Sequence, residues 1–150
     1  MMKHLLAILF YIFSSSTQAQ ISLTEFNFKF KEQPKIIILY FYTDWCNICK
    51  IQETQIEKNE KILEFLQQDV YFLKFNGESK DPVDFLGQRY IPIQKVKTHP
   101  FVFEFILQHE VSYPLWIVLD HNLDVLGKFS GLIQKKNFEK LMLQIKKSNP

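Results

Sequence analysis

The stretch Lys35-Ile36-Ile37-Ile38-Leu39-Tyr40-Phe41-Tyr42-Thr43-Asp44-Trp45-Cys46-Asn47-Ile48-Cys49-Lys50 decides how the chain reads. The run 35–42 is apolar and β-branched without alternation, which predicts a strand covered on both faces and therefore placed mid-sheet. Thr43-Asp44-Trp45 follows as a short loop. From Cys46 the pattern turns polar with helical spacing through Lys50, Ile51 and Glu53, so a helix is expected to begin near Cys46. Asn59 is placed to cap a second helix carrying Ile62, Leu63 and Leu66. Val70-Tyr71-Phe72-Leu73-Lys74-Phe75 then returns to strand character. Strand, helix and strand make a βαβ unit. Its right-handed crossover makes the two strands parallel and leaves the cysteines at the C-terminal edge of the first.

Cys46 and Cys49 are the only cysteines. A helix N-terminus presents unpaired N–H groups and partial positive charge, which stabilise a thiolate. Cys46 is thus the candidate nucleophile. Cys49, one turn on, can attack a mixed disulfide formed at Cys46 and is the candidate resolving thiol, so the pair reads as a redox-active disulfide. As a mere staple, a bridge closing so short a loop removes little denatured-state entropy. Zinc wants four ligands, and beyond the two cysteines the chain past residue 20 offers only His99, His109 and His121, dispersed. Covalent haem attachment needs histidine directly after the second cysteine, where Lys50 stands. The expectation is no metal and no cofactor.

Working outward, residues 21–30 are ambiguous. Phe26, Phe28 and Phe30 alternate like a strand, while Ser22-Leu23-Thr24-Glu25 has capping-box spacing. Downstream, residues 76–97 contain Gly77, Asp81-Pro82, Gly87 and Pro92 and read as a loop-rich excursion with a small hairpin around Leu86-Gly87-Gln88. Thr98 with Pro100 marks a helix start, its apolar face Phe101, Phe105 and Ile106, running to about His109. Leu115-Trp116-Ile117-Val118-Leu119 reads as a strand, Asp120-His121-Asn122 as a turn, residues 125–129 as an antiparallel partner and residues 135–147 as a closing amphipathic helix.

The chain has 150 residues, 47% hydrophobic and 15% aromatic, enough for one domain with a real core. It starts Met1-Met2-Lys3-His4, then carries an apolar run over 5–13 and small residues at Thr17 and Ala19. This is the pattern of a secretory signal peptide over residues 1–19, cleaved after Ala19, with an uncleaved anchor as the alternative. A domain over residues 20–150, outside the cytoplasm and with no stable membrane span, is the expectation. Lys and Arg total 18 against 16 Asp and Glu, and removing Lys3 leaves 17 against 16, so no net field favours nucleic acid. Arg89 is the only arginine.

Tyr42-Thr43-Asp44-Trp45-Cys46-Asn47-Ile48-Cys49-Lys50 resembles the active-site segment of thioredoxin-like proteins exported by bacteria, with their W-C-x-x-C-K motif. Residues 70–76 resemble the next strand of that family, Lys74 matching a lysine near its active site. Ser112-Tyr113-Pro114-Leu115 looks like its cis-proline loop, and Gly131 with the helix after it also matches. The resemblance spans residues 33–144, with 77–111 longer than the simplest thioredoxins carry there. It implies an α/β thioredoxin fold, a central mixed sheet flanked by helices with an insertion before the cis-proline loop. It implies a cis Tyr113-Pro114 bond that frees the Tyr113 backbone for an extended substrate segment. Trp45 and Tyr113 would flank the sulfur as an apolar landing surface, ordinary edge-of-core packing being the alternative for each.

Two departures stand out. Tyr40 replaces the buried aspartate that assists the resolving cysteine in thioredoxins, so proton transfer at Cys49 needs another route, through Lys74 or water. Asn47 and Ile48 replace the Gly-Pro of general reductases and the histidine-ending pairs of strong oxidants, which leans the reading towards a reductase. Asp44 and Lys50 read as solvated charges. The implied activity is thiol-disulfide exchange with protein substrates in a bacterial periplasm, by a monomer served by an unidentified redox partner. The rivals are a non-catalytic binding or assembly module on the same fold and a redox sensor.

Overall fold

A computed structural model describes residues 21–148; the expected leader lies outside them. The ambiguous first segment is helix α1 (Leu23–Glu32): the Ser22 side chain accepts from the Glu25 amide at 3.1 Å, and Phe26 and Phe30 are buried while Phe28 faces out. The cap decides the contest that alternation left open.

Strand β1 (Ile37–Tyr42) leads into α2 (Asn47–Glu57) and α3 (Glu60–Gln68), and β2 (Tyr71–Asn76) returns parallel to β1, Ile37 opposite Tyr71. Asn59 caps α3, accepting from the Ile62 amide at 3.2 Å. Strands β5 (Leu115–Leu119) and β6 (Val125–Ser130) complete a mixed sheet in the order β2-β1-β5-β6, and helix α5 (Lys135–Ser148) closes the fold. β1 is thus central. Ile37, Leu39 and Phe41 join a cluster with α1, while Ile38 and Tyr40 join one with Ile56, Phe65 and Phe138 of α2, α3 and α5. Burial on both faces explains the missing alternation.

Between β2 and β5, residues 77–111 form the expected insertion. A hairpin of β3 (Val83–Phe85) and β4 (Gln88–Tyr90) turns on Leu86 and Gly87, both at positive φ, 50° and 90°. That pairing of left-handed residues suits the twist of a two-residue hairpin. Asn27 of α1 fastens the hairpin, donating to the Asp84 carbonyl at 2.7 Å and accepting from the Leu86 amide at 2.8 Å. The helix expected to run to about His109 is shorter. α4 covers Pro100–Phe103, capped by His99 instead of Thr98, and a separate 3-10 turn covers Gln108–Glu110. The chain tightens where the Phe105 amide bonds the Val102 carbonyl, and Ile106 drops into the core instead of continuing the helix.

Candidate active site

The end of β1 delivers Thr43-Asp44-Trp45 as a tight loop in which the Cys46 amide bonds the Thr43 carbonyl at 3.1 Å. Cys46 is the N-cap of α2, and its sulfur accepts from the Cys49 amide at 3.1 Å. No acidic residue lies in the first turn of α2 to oppose the positive helix end. Cys46 and Cys49 form a disulfide with Cα atoms 5.3 Å apart. Cys46 keeps 4% of its surface and Cys49 1%, so both are buried and the little exposure the pair has belongs mainly to Cys46.

The Tyr113-Pro114 bond is cis. The rings of Trp45 and Tyr113 meet edge to face at 6.2 Å, and Trp45 is 59% exposed, so the expected aromatic pair is brought together next to Cys46 in the chain. Burial pushes the Tyr113 hydroxyl up to about 12, with Glu78 adding and Thr98 opposing. Tyr113 stays neutral and acts as surface rather than as an acid.

Tyr40, standing where an aspartate was looked for, is fully buried and donates to the Cys49 carbonyl at 3.2 Å. Burial, with Glu53 and Tyr42 adding, drives its hydroxyl far above the usual phenol range, so it is no proton acceptor. Lys74 pairs instead with Glu53 of α2, Nζ to Oε2 2.7 Å, and lies 5.2 Å from the centroid of the Tyr42 ring. Glu53 lies one turn beyond Cys49, and its i, i+4 spacing from Cys49 is the signal the sequence offers for it. Asp44 accepts from Asn76 at 3.1 Å, and Lys50 is exposed. Among the described residues, no three His, Cys, Asp or Glu side chains gather as a metal site.

A concavity of about 640 Å³ along α2, lined by Lys50, Ile51, Lys58, Ile62 and Ile133 among others, includes neither cysteine.

Central mixed sheet, flanking helices, a C-x-x-C disulfide capping a helix and a cis-proline loop together define a thioredoxin-fold protein. No family model matches the chain. It is 36% identical over 66 residues to the chloroplastic thioredoxin F of Oryza sativa subsp. japonica; that match takes in 42% of this chain and spans about a third, 33%, of the relative. Among solved structures it is similar to a DsbH oxidoreductase (TM-score 0.54, 17% identity, 84% of each chain). It is also similar to thioredoxin f from spinach chloroplast (TM-score 0.51, 21% identity, 87% of this chain and 92% of that one). A third similar structure is the complex of ferredoxin:thioredoxin reductase with thioredoxin f2 (TM-score 0.51, 21% identity, 89% of this chain and 99% of that one). At these identities the structural matches establish the fold.

Proposed function

We propose that the protein is a thiol-disulfide oxidoreductase that reduces protein disulfides outside the cytoplasm, with Cys46 as nucleophile and Cys49 as resolving thiol. The observation that carries this reading is the Cys46–Cys49 pair at the N-terminus of α2, with a cis-proline loop in the same site. In the reduced form, the Cys46 thiolate attacks a substrate disulfide; that S–S bond breaks, a Cys46–substrate disulfide forms, and the departing substrate sulfur takes up a proton. Cys49 then loses its proton and attacks Cys46. The Cys46–Cys49 bond forms, the second substrate thiol leaves, and two electrons have passed to the substrate. A dithiol donor must restore the pair. The ferredoxin:thioredoxin reductase complex of a similar structure suggests a protein in that role.

The reducing direction is supported by Asn47 and Ile48, which supply no histidine to stabilise the thiolate further. The extracytoplasmic setting is supported by the leader-like residues 1–19, and a bacterial periplasm fits the exported thioredoxin-like proteins the active-site segment resembles. The test is the reduction potential of the pair, equilibrated against glutathione or dithiothreitol with thiols trapped and counted. A value near about −270 mV supports a reductase, and one near about −120 mV overturns the reducing direction. Loss of insulin reduction in Cys46→Ser is expected as well; full activity there rules out the enzyme.

A further inference from the structure

Trp45 is half exposed at the edge of the site, yet each part of its ring is held. Its indole N–H donates to Glu78 Oε2 at 3.1 Å, and the Lys97 ammonium lies 5.3 Å from the ring centroid. Lys97 also reaches the other oxygen of the same carboxylate, Nζ to Oε1 3.4 Å, so Trp45, Glu78 and Lys97 close a triangle. The Glu78 carboxyl is largely covered while the Lys97 head is mostly in solvent.

The two charged residues come from opposite ends of the loop-rich segment 76–97 that begins the insertion, and the fold binds those ends together. The Glu78 amide donates to Asn76 Oδ1 at 2.9 Å, and the same Asn76 side chain donates to Asp44 beside Trp45 at 3.1 Å. At the far end, the His99 amide bonds the Gly77 carbonyl at 2.8 Å, and the buried His99 ring contacts the Asp81 carbonyl at 3.1 Å. Residues 78 and 97 are thereby fixed at a closed base, directly against the indole. An exposed tryptophan otherwise samples several rotamers, and ordering it on binding is a cost that preorganisation removes.

We propose that the insertion serves the active site through Glu78 and Lys97, positioning residues that hold Trp45 in the orientation in which it receives a protein substrate. This rests on the oxidoreductase reading, and it concerns binding rather than sulfur chemistry. Neither residue reaches the reacting atoms, so their loss acts on KM.

The test uses the full chain with two readouts. In insulin reduction, Glu78→Ala and Lys97→Met are each expected to raise KM about 5-fold with kcat within twofold, while Glu78→Gln and Lys97→Arg, which keep an acceptor and a cation, recover most of the loss. In protein labelled with 5-fluorotryptophan, the Trp45 fluorine resonance, assigned with Trp45→Phe, is expected to shift and sharpen in the two disruptive variants while that of Trp116 stays in place. An unchanged KM, a loss confined to kcat, or an unmoved Trp45 resonance overturns the proposal. If the unaltered protein does not reduce insulin, the oxidoreductase reading fails, and the fluorine spectra still decide whether Glu78 and Lys97 hold the ring.

Discussion

The ring of Tyr113 fills the space that a side chain at residue 77 would need: a Cβ on Gly77 would stand 2.6 Å from Tyr113 Cε1 and would collide with the hydroxyl. The same ring meets Trp45, so the glycine that opens the insertion sets how closely the aromatic pair packs at the site. Gly77→Ala is expected to destabilise by about 1–3 kcal/mol, as overpacking does, read from the urea midpoint. Combining it with Tyr113→Ala, which removes the collision, should cost at least about 1 kcal/mol less than the two single changes added together. Simple additivity would mean that the ring does not occupy that space in solution.

Cys46 caps α2 with Cys49 one turn inside it, and both are buried, Cys46 slightly less so. In Cys49→Ser, attack by Cys46 on a substrate disulfide can proceed but release cannot. The variant is expected to accumulate a covalent adduct with a disulfide-bearing protein such as insulin, visible by mass spectrometry and dissolved by dithiothreitol. Cys46→Ser should give no such adduct. An adduct through Cys49 at a comparable rate would reverse the two roles.

The βαβ unit was legible because its signals are local: an uninterrupted apolar run, a polar switch at Cys46 and a cap at Asn59. The cysteine pair was legible for the same reason, since its chemistry follows from three residues of spacing and a helix start. The cis-proline loop was legible only through resemblance, because nothing local distinguishes Tyr113-Pro114 from a trans bond. What stayed hidden was non-local. Nothing local marks Glu78 and Lys97 before the fold sets both against Trp45, or Asn27, in a segment whose pattern is ambiguous, before the hairpin docks on it. The helix after Pro100 was overextended because its apolar spacing continues to Ile106 while burial of that side chain demands a turn.

His99 is buried with both ring nitrogens engaged, one accepting from the Phe101 amide and the other contacting the Asp81 carbonyl. Burial, with Lys80 adding, holds its pKa below the ordinary 6.5, against a smaller opposing effect of the Asp81 carbonyl. Above that value the folded and unfolded chains both carry a neutral ring. Below it the unfolded chain takes up a proton more readily than the folded one, so stability falls as pH drops towards the folded pKa. The urea midpoint is therefore expected to decrease from pH 7.5 to 5.5, a range above the window in which Glu110, lowered first by its Lys128 hydrogen bond, loses its contribution. His99→Asn, which keeps an acceptor for the Phe101 amide, should flatten this dependence. An equally steep slope in that variant would assign it to other groups.

Lys74 was expected beside the cysteines as active-site support, and the structure commits it to Glu53 and the face of Tyr42. Both partners of the ion pair keep about a quarter of their side-chain surface, 24% and 27%, so solvent screens it and its contribution is about 1 kcal/mol. Lys74→Met is expected to lower stability by about that amount and to move the reduction potential of the pair by less than about 30 mV, the equivalent of about 1.4 kcal/mol. Adding Glu53→Gln removes the carboxylate left without its partner and should recover part of the lost stability. Should Lys74 instead carry the Cys49 proton, Lys74→Met would slow release of the mixed disulfide in a pH-dependent way without that loss of stability. Rapid-quench measurement of adduct decay at two pH values separates a lysine that braces the second turn of α2 from one that moves a proton.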